Sequence, residues 1–499
     1  MGRTPRQPAG RVAAIGDLTG ADAASAVDVS GCLVLPGFID AHVHGDAAVL
    51  QPAAQLAALR QGVTTFVIGQ DGLSYAPASA RTRRYVDDYF AAINGAHPAL
   101  PSTGPVSVAD LLATYDRTTA INTAYLLPQG TIRYEVMGGA DRAPTGAEAA
   151  AMLALVETGL DEGAVGLSTG LEYVPSGYAD APELAQLAGP LAVRALPFVA
   201  HLRGYEDRAP AAMAELRDVA RRSGVALHAS HYHGPADLLA PLVDGLLDDG
   251  IDVTFDSYPY LRGATTVAMP ALPRWLAGDV DTVVAALGEP AVLRRLATEW
   301  YPAKTDLWPR LRLSHVPAAG WQWAEGLTVT EAAARAGRAP GEFCTDLLRA
   351  TRLGAGCLLE QPPANDESAV RALLRHRAHL AGSDGIYLGS HPHPRGWGAF
   401  ARFLGRHVRE LGDWSWGEAA VHLSAAAARR FRLADRGILA EGAAADVVVL
   451  DPDEVTDIAT YEQPRALAAG VRQVYVDGVL VLADGALTGA TPGRPVRPS

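Results

Sequence analysis

Lysine is all but absent from this chain of 499 residues: Lys304 is the only one, so a site elsewhere must be built without a lysine amine. Cysteine is scarce too. Cys32, Cys344 and Cys357 have neither metal-type nor disulfide-type spacing, which excludes a disulfide-stapled scaffold and predicts a reducing, cytoplasmic setting. The formal net charge is −13 with no basic stripe, so no nucleic-acid partner is expected. No apolar run reaches the length that spans a bilayer and no N-terminal signal region is visible, so no membrane partner is expected. Long polar tracts and internal repeats are missing as well. Apolar residues, by contrast, make up 49% of the chain and charged ones 19%, enough for a large packed core. The length suits a large barrel with appendages.

Leu35-Pro-Gly-Phe-Ile-Asp-Ala-His-Val-His44 carries the strongest signal. Pro36 and Gly37 break the preceding structure, and Phe38 and Ile39 supply a β run. Residues i and i+2 of a strand share a face. His42 and His44 therefore aim at one point past the strand's C-terminal end. That is half of a metal site, with Asp40 placed to orient a ligand from behind.

From 37 to about 430, short β runs alternate with amphipathic helical stretches. Strands are expected to end near Ile68, Leu127, Ser168, His201, His231, Asp256 and Asp384. About eight such units predict an α/β fold, a (β/α)8 TIM-like barrel. Residues from about 270 to 363 read as a more helical insertion near the barrel mouth. Before 37 and after 430 the chain is β-rich again. Residues 1–36 and 431–499 are therefore predicted to build a small β domain from both chain termini.

Active sites of such barrels lie at the C-terminal ends of the strands. His42, His44, Asp71, His201, His231 and Asp384 all fall there. Taken singly, a strand-end histidine is equally well a structural hydrogen-bonding residue, and a strand-end aspartate is often a helix N-cap. Together, four imidazoles and two carboxylates can supply one or two divalent ions, with zinc the best match to the donor set.

From about residue 10 to the end, the chain resembles the amidohydrolase superfamily and, within it, the D-aminoacylase group of N-acyl-D-amino-acid deacylases. The likeness rests on Pro36-Gly-Phe-Ile-Asp-Ala-His-Val-His44, Gly62-Val-Thr-Thr65, Gly166-Leu-Ser-Thr-Gly-Leu-Glu-Tyr173, Ser230-His231, Tyr258-Pro-Tyr260, Gly382-Ser-Asp-Gly385, His393-Pro-Arg395 and Gly437-Ile-Leu-Ala-Glu-Gly-Ala-Ala-Ala-Asp446. The resemblance implies a metal-dependent amide hydrolase acting on a small molecule. It implies that His42, His44, His201 and His231 are metal ligands, that Asp384 is the catalytic carboxylate, and that Tyr258 and Arg395 hold a substrate carboxylate.

The departures from the group are local. Its usual cysteine after the second strand is Asp71 here, a harder ligand. A carboxylated lysine, which bridges two metals in other superfamily members, is excluded because Lys304 lies in the insertion; Asp71 is the best bridge candidate and Glu172 a second. Pro128-Gln-Gly130 puts an amide where the group has a histidine turn. His233 replaces a lysine and Arg262 is added, both near the expected carboxylate pocket. The acyl chain, the amino-acid side chain and the oligomeric state stay open. So do two other readings: the same centre acting on a cyclic amide or peptide-like natural product, and a non-catalytic binding protein on the same barrel. An initial strand pair usual in the group is missing, so the small β domain is reduced or the true start lies upstream.

Overall fold

A computed structural model describes residues 10–276 and 278–499. The first strand, β1 (Leu33–Pro36), joins a sheet completed only near the other end of the sequence. The chain then lays down β2 (Phe38–Asp40), β3 (Val43–His44), β4 (Val63–Ile68), β5 (Asn122–Tyr125) and β6 (Leu127–Pro128). After these come β7 (Leu167–Gly170), β8 (Pro197–His201), β9 (Ala226–Ala229) and β10 (Val253–Ser257). Helices separate them except within the pairs β2/β3 and β5/β6. Several start on side-chain caps: Thr145 and Glu148 form a reciprocal capping box for Gly146–Asp161, and Asp180 caps Ala181–Arg194. All six residues of β4 are buried, as expected of a parallel strand with the barrel interior on one face and helices on the other.

Next comes β11 (Arg262–Thr266), then β12 (Leu311–His315) and β13 (Gly356–Glu360). They form an antiparallel sheet in the order β11-β13-β12. A separate apolar cluster around Leu313, Phe343, Leu347 and Cys357 packs against it. The insertion therefore begins at Arg262, earlier than the expected 270, and is built on a sheet as well as helices. Its strands are five residues each, too short for their alternation to stand out among the helical stretches.

The barrel is completed by β14 (His379–Ala381) and β15 (Gly385–Ile386). Parallel pairing runs β2-β4-β5 and β6-β7-β8-β9-β10-β14. The gaps are closed by the β15–β3 pair, by the Leu126 N–H to the Ile68 carbonyl at 2.9 Å, and by the Ala41 N–H to the Ala381 carbonyl at 3.1 Å. Eight staves result, because β2/β3, β5/β6 and β14/β15 are each one stave interrupted at its rim. Small inward residues such as Ala41, Ala124 and Val199 fill the interior, and Phe431, Leu433 and Val496 pack against them.

The last strands are β16 (Val447–Leu450), β17 (Val471–Val476), β18 (Val479–Ala483) and β19 (Ala486–Leu487). With β1 they form one antiparallel sheet in the order β1-β16-β17-β18-β19. Leu33 pairs with Leu450 and Pro36 with Val447. Ahead of β1, the β-rich stretch expected there reduces, among the described residues, to a single bridge, Arg11 to Ala444. The question of an earlier strand pair falls on Met1–Pro8, outside the described residues. Among the described residues no helix is long and apolar enough to cross a membrane.

Asp446, buried where this sheet meets the barrel, ties the two together. It accepts from the Asn122 side-chain amide at 3.3 Å and from the Asp477 N–H at 2.8 Å, and it pairs with Arg436. Arg436 in turn reaches Asp477 at 2.9 Å. Removing one partner of a buried ion pair strands the other's charge. Arg436→Met should therefore lower the unfolding free energy by about 3–5 kcal/mol. Chemical denaturation would show this as a lower midpoint; an unchanged midpoint would mean the pair does not anchor the sheet.

Candidate metal centre

β3 ends on His44 and the turn before it presents His42, so both rings stand at the barrel's C-terminal rim, buried. His42 Nε2 lies 3.7 Å from Asp71 and 3.8 Å from Asp384. His44 Nε2 lies 3.6 Å and 3.4 Å from the same two carboxylates. Across the rim, His201 ends β8 and His231 follows β9, with His201 Nδ1 3.0 Å from His231 Nε2. Asp71 stands between the pairs, 3.5 Å from His201 Nδ1 and 3.7 Å from His231 Nε2.

Three of these residues have left-handed backbones: Asp71 at φ 56°, His231 at 34° and Asp384 at 50°. That conformation costs an L-residue roughly 1–2 kcal/mol, and each turn has its own support. Ser168 clamps the Asp71 turn, its hydroxyl accepting from the Gly72 N–H at 3.1 Å and donating to the Gly69 carbonyl. A Cβ on Gly170 would lie 2.1 Å from the Asp71 carbonyl oxygen, which explains the glycine in the Gly166–Tyr173 motif. The His231 N–H donates to Asp256 at 2.9 Å. The Asp384 N–H donates to the His42 carbonyl at 2.7 Å. Next to it, Ser383 donates through both its N–H and its hydroxyl to Asp40, which also accepts from the His42 N–H. Asp40 thus ties two rim turns together, and burial pushes its carboxyl up to about 7.

The centre attracts positive charge. Burial opposes a proton on His42, yet the carboxylates of Asp256, Asp71 and Asp384 outweigh it and raise the ring to about 9. His201 reaches about 9 by the same balance, with Asp71 and Glu172 as the carboxylates. Asp384 is held below the usual carboxylate range: burial opposes this, but Arg395, His44 and His42 overcome it. His42 Nε2 and Asp71 Oδ1 are buried with no hydrogen-bond partner among the described residues. Two donor sets, His42–Asp71–His231 and His42–His44–Asp384, each keep their ligand atoms within 4.8 Å of one another. Compact, buried imidazole nitrogens and carboxylate oxygens fit a divalent ion such as zinc.

The other residues singled out by the sequence divide. Glu172, the second bridge candidate, stands behind His201. It holds the far nitrogen of His201 at 3.2 Å and is itself gripped by Arg208 at 2.8 Å. His233 lies on the cavity wall, its ring stacked on Tyr205 and its Nδ1 2.7 Å from the His231 carbonyl. Burial lowers it to about 4, so it is neutral. Tyr258 lines the cavity beneath the Arg395 guanidinium, 4.5 Å from its ring centre. Arg395 is fully buried and bound to Asp384 at 2.7 Å, with Nε and Nη1 unpartnered among the described residues. Arg262 is not brought to the centre: it stacks on Tyr461 at 4.0 Å and lines an adjoining cavity. The sequence reading passes over Asp256 and His228. Asp256 contacts His42 at 3.3 Å and His228 at 3.0 Å, and obeys the same strand-end rule that selects Asp384.

Above the centre opens a cavity of about 640 Å³. The barrel supplies its floor, with His44, Asp71, His201, His231 and Asp384. The insertion supplies the facing wall, including Met269, Trp300, Lys304 and Leu307. An amide-sized substrate placed there would meet the polar centre on one side and a mixed apolar and cationic wall on the other.

Comparison with known proteins agrees with this architecture. Residues 25–482 match the model of the amidohydrolase family. An N-acyl-D-glutamate deacylase of Alcaligenes xylosoxydans xylosoxydans is 34% identical over 98% of this chain and 91% of its own length. A D-aminoacylase of the same organism is 33% identical over 97% of this chain and 91% of its own length. The crystal structure of an N-acyl-D-glutamate deacylase from Bordetella bronchiseptica, complexed with zinc and a phosphonate mimic of the tetrahedral intermediate, superposes with a TM-score of 0.81 at 30% identity. The match covers 98% of this chain and 94% of that one. With the family model matched over most of its length and a barrel whose rim gathers imidazoles and carboxylates, the chain belongs to the amidohydrolase family.

Proposed function

We propose that this protein is a metal-dependent hydrolase that removes the acyl group from N-acyl-D-amino acids. The observation that carries the reading is the convergence of His42, His44, His201, His231, Asp71 and Asp384 on one buried point beneath a substrate-sized cavity. The likeness to deacylases along nearly the whole chain supports it. His201, His231 and Asp71 would hold one zinc ion, and His42 and His44 a second, looser one. A divalent cation so held would supply Lewis acidity and lower the pKa of a bound water to about 7.

Asp384 does the proton work. It enters the reaction ionised, accepts a proton from the attacking water, and returns it to the amine nitrogen as the C–N bond breaks. Arg395 keeps that carboxylate charged and aimed, with one nitrogen on Asp384 and two free. Its remaining N–H groups can donate to a substrate carboxylate from a planar array that a lysine does not have. The Tyr258 ring beneath the guanidinium leaves it little freedom to swing away. Glu172 fixes the orientation of His201 from behind. The cavity's inserted wall carries the choice of side chain and acyl group.

A panel of N-acyl-D-amino acids, N-acyl-L-amino acids, cyclic imides and amidated D-substrates tests the reading in zinc-loaded protein. The free-acid D-series should lead in kcat/KM. Arg395→Lys should cost that series about 1.5–3 kcal/mol, roughly ten- to a hundredfold in kcat/KM. Equal turnover of free-acid and amidated substrates would remove the carboxylate pocket from the account, and preference for a cyclic imide would change the substrate class. Asp71→Ala should lower bound metal in elemental analysis, whereas Asp71→Cys should retain a site because thiolate is a good zinc ligand. Metal content unchanged in Asp71→Ala would take Asp71 out of the ligand set. Asp384→Asn should keep fold and metal but lose at least ~10²-fold in kcat; near-normal turnover would assign the proton transfer elsewhere.

A further inference from the structure

Beneath the rim, a string of polar groups runs into the barrel: His42, Asp256, His228 and the half-buried Thr254. His42, Asp256 and His228 are fully buried. His42 Nδ1 lies 3.3 Å from Asp256 Oδ2, and His228 Nε2 lies 3.0 Å from the same oxygen. The other oxygen, Oδ1, accepts from the His231 N–H at 2.9 Å. At the far end His228 Nδ1 lies 2.8 Å from the Thr254 hydroxyl.

Donor and acceptor counting fixes the hydrogens that face Asp256. An ionised carboxylate only accepts, so both ring nitrogens facing Asp256 must carry hydrogen. His42 therefore carries hydrogen on Nδ1, which leaves Nε2, facing Asp71 and Asp384, as the nitrogen a metal ion would take in place of a proton. His228 carries hydrogen on Nε2, and burial favours its neutral form, which makes it the Nε2–H tautomer. Its bare Nδ1 must then accept, and the Thr254 hydroxyl is the donor. No member can be replaced by an apolar residue without leaving a buried partner unsatisfied.

We propose that His228, backed by Thr254, is a positioning residue for the metal centre: it holds Asp256 in the one orientation that presents His42 Nε2 and fixes the His231 turn. Asp256 thereby serves two staves at once. It orients a ring from the first and anchors the strained backbone of the sixth. His228 touches neither the rim nor the cavity, and acts only through Asp256. The proposal rests on the reading of His42 and His231 as metal ligands.

Two measurements test it. The first needs neither metal nor variant: ¹⁵N-histidine NMR of the intact protein should find His228 as the neutral Nε2–H tautomer. The Nδ1–H tautomer would overturn the proposal, whatever the fate of the metal reading. The second compares His228→Leu with His228→Gln, whose amide can still donate to Asp256. By chelator competition His228→Leu should bind zinc 10- to 100-fold more weakly, with kcat lowered and KM little changed. His228→Gln should recover most of both losses, and Thr254→Val should show a smaller loss of the same kind. Wild-type zinc affinity in a folded His228→Leu protein would overturn the proposal, as would equal loss in His228→Leu and His228→Gln. If wild-type protein binds no zinc while the tautomer is as expected, the metal reading fails and the hydrogen-bond string stands.

Discussion

Too much negative charge in too little water is the constraint on which this structure turns. Asp71, Asp256 and Asp384 are buried within reach of His42, and Glu172 stands one imidazole further on. Carboxylates that close cannot all stay ionised in a low-dielectric interior unless positive charge joins them. The structure supplies some through Arg395 against Asp384 and Arg208 against Glu172. The remainder draws protons onto His42 and His201, lifting both to about 9. Under the proposed function a divalent cation takes the place of those protons. That exchange lets a barrel rim made of ordinary side chains bind a metal without a lysine bridge.

The same constraint governs the backbone. Ligands from different staves must meet at one point, and Asp71, His231 and Asp384 reach it only in left-handed conformations. Each is held by a buried hydrogen bond from another stave: Ser168 for the Asp71 turn, Asp256 for His231, and the His42 carbonyl for Asp384. Strain of about 1–3 kcal/mol per residue persists only where surroundings over-determine it. Here the staves lock one another. The family's short motifs are therefore as much backbone supports as chemical groups; Gly170 is there because the Asp71 carbonyl passes where its side chain would be.

The centre and the wall that faces it sit on separate parts of the chain. The centre belongs to the barrel strands, whereas the cavity's facing wall comes from the insertion with its own apolar core. A wall that folds around its own core can change its lining while the rim stays fixed. Lys304, the chain's one lysine, lies on that wall over the Trp300 ring rather than among the ligands.

The sequence by itself determined the barrel, the strand ends and the residues that could ligate, because period-2 alternation and strand–helix alternation are local properties. His42 and His44 were legible from their spacing, and Asp71, His201, His231 and Asp384 from their position after apolar runs. Three things were decided only by the fold. Glu172 and Arg262 look like partners of the centre in one dimension, yet one holds His201 from behind and the other stacks on Tyr461. Arg395 reads as a free substrate clamp until tertiary structure sets it against Asp384. Asp256 and His228 gain their place only when β9 pairs with β10 and closure of the barrel brings His42 of the first stave against Asp256. Which of several buried carboxylates faces a given ring depends on contacts between residues 28 to 214 positions apart, and no local pattern carries that information.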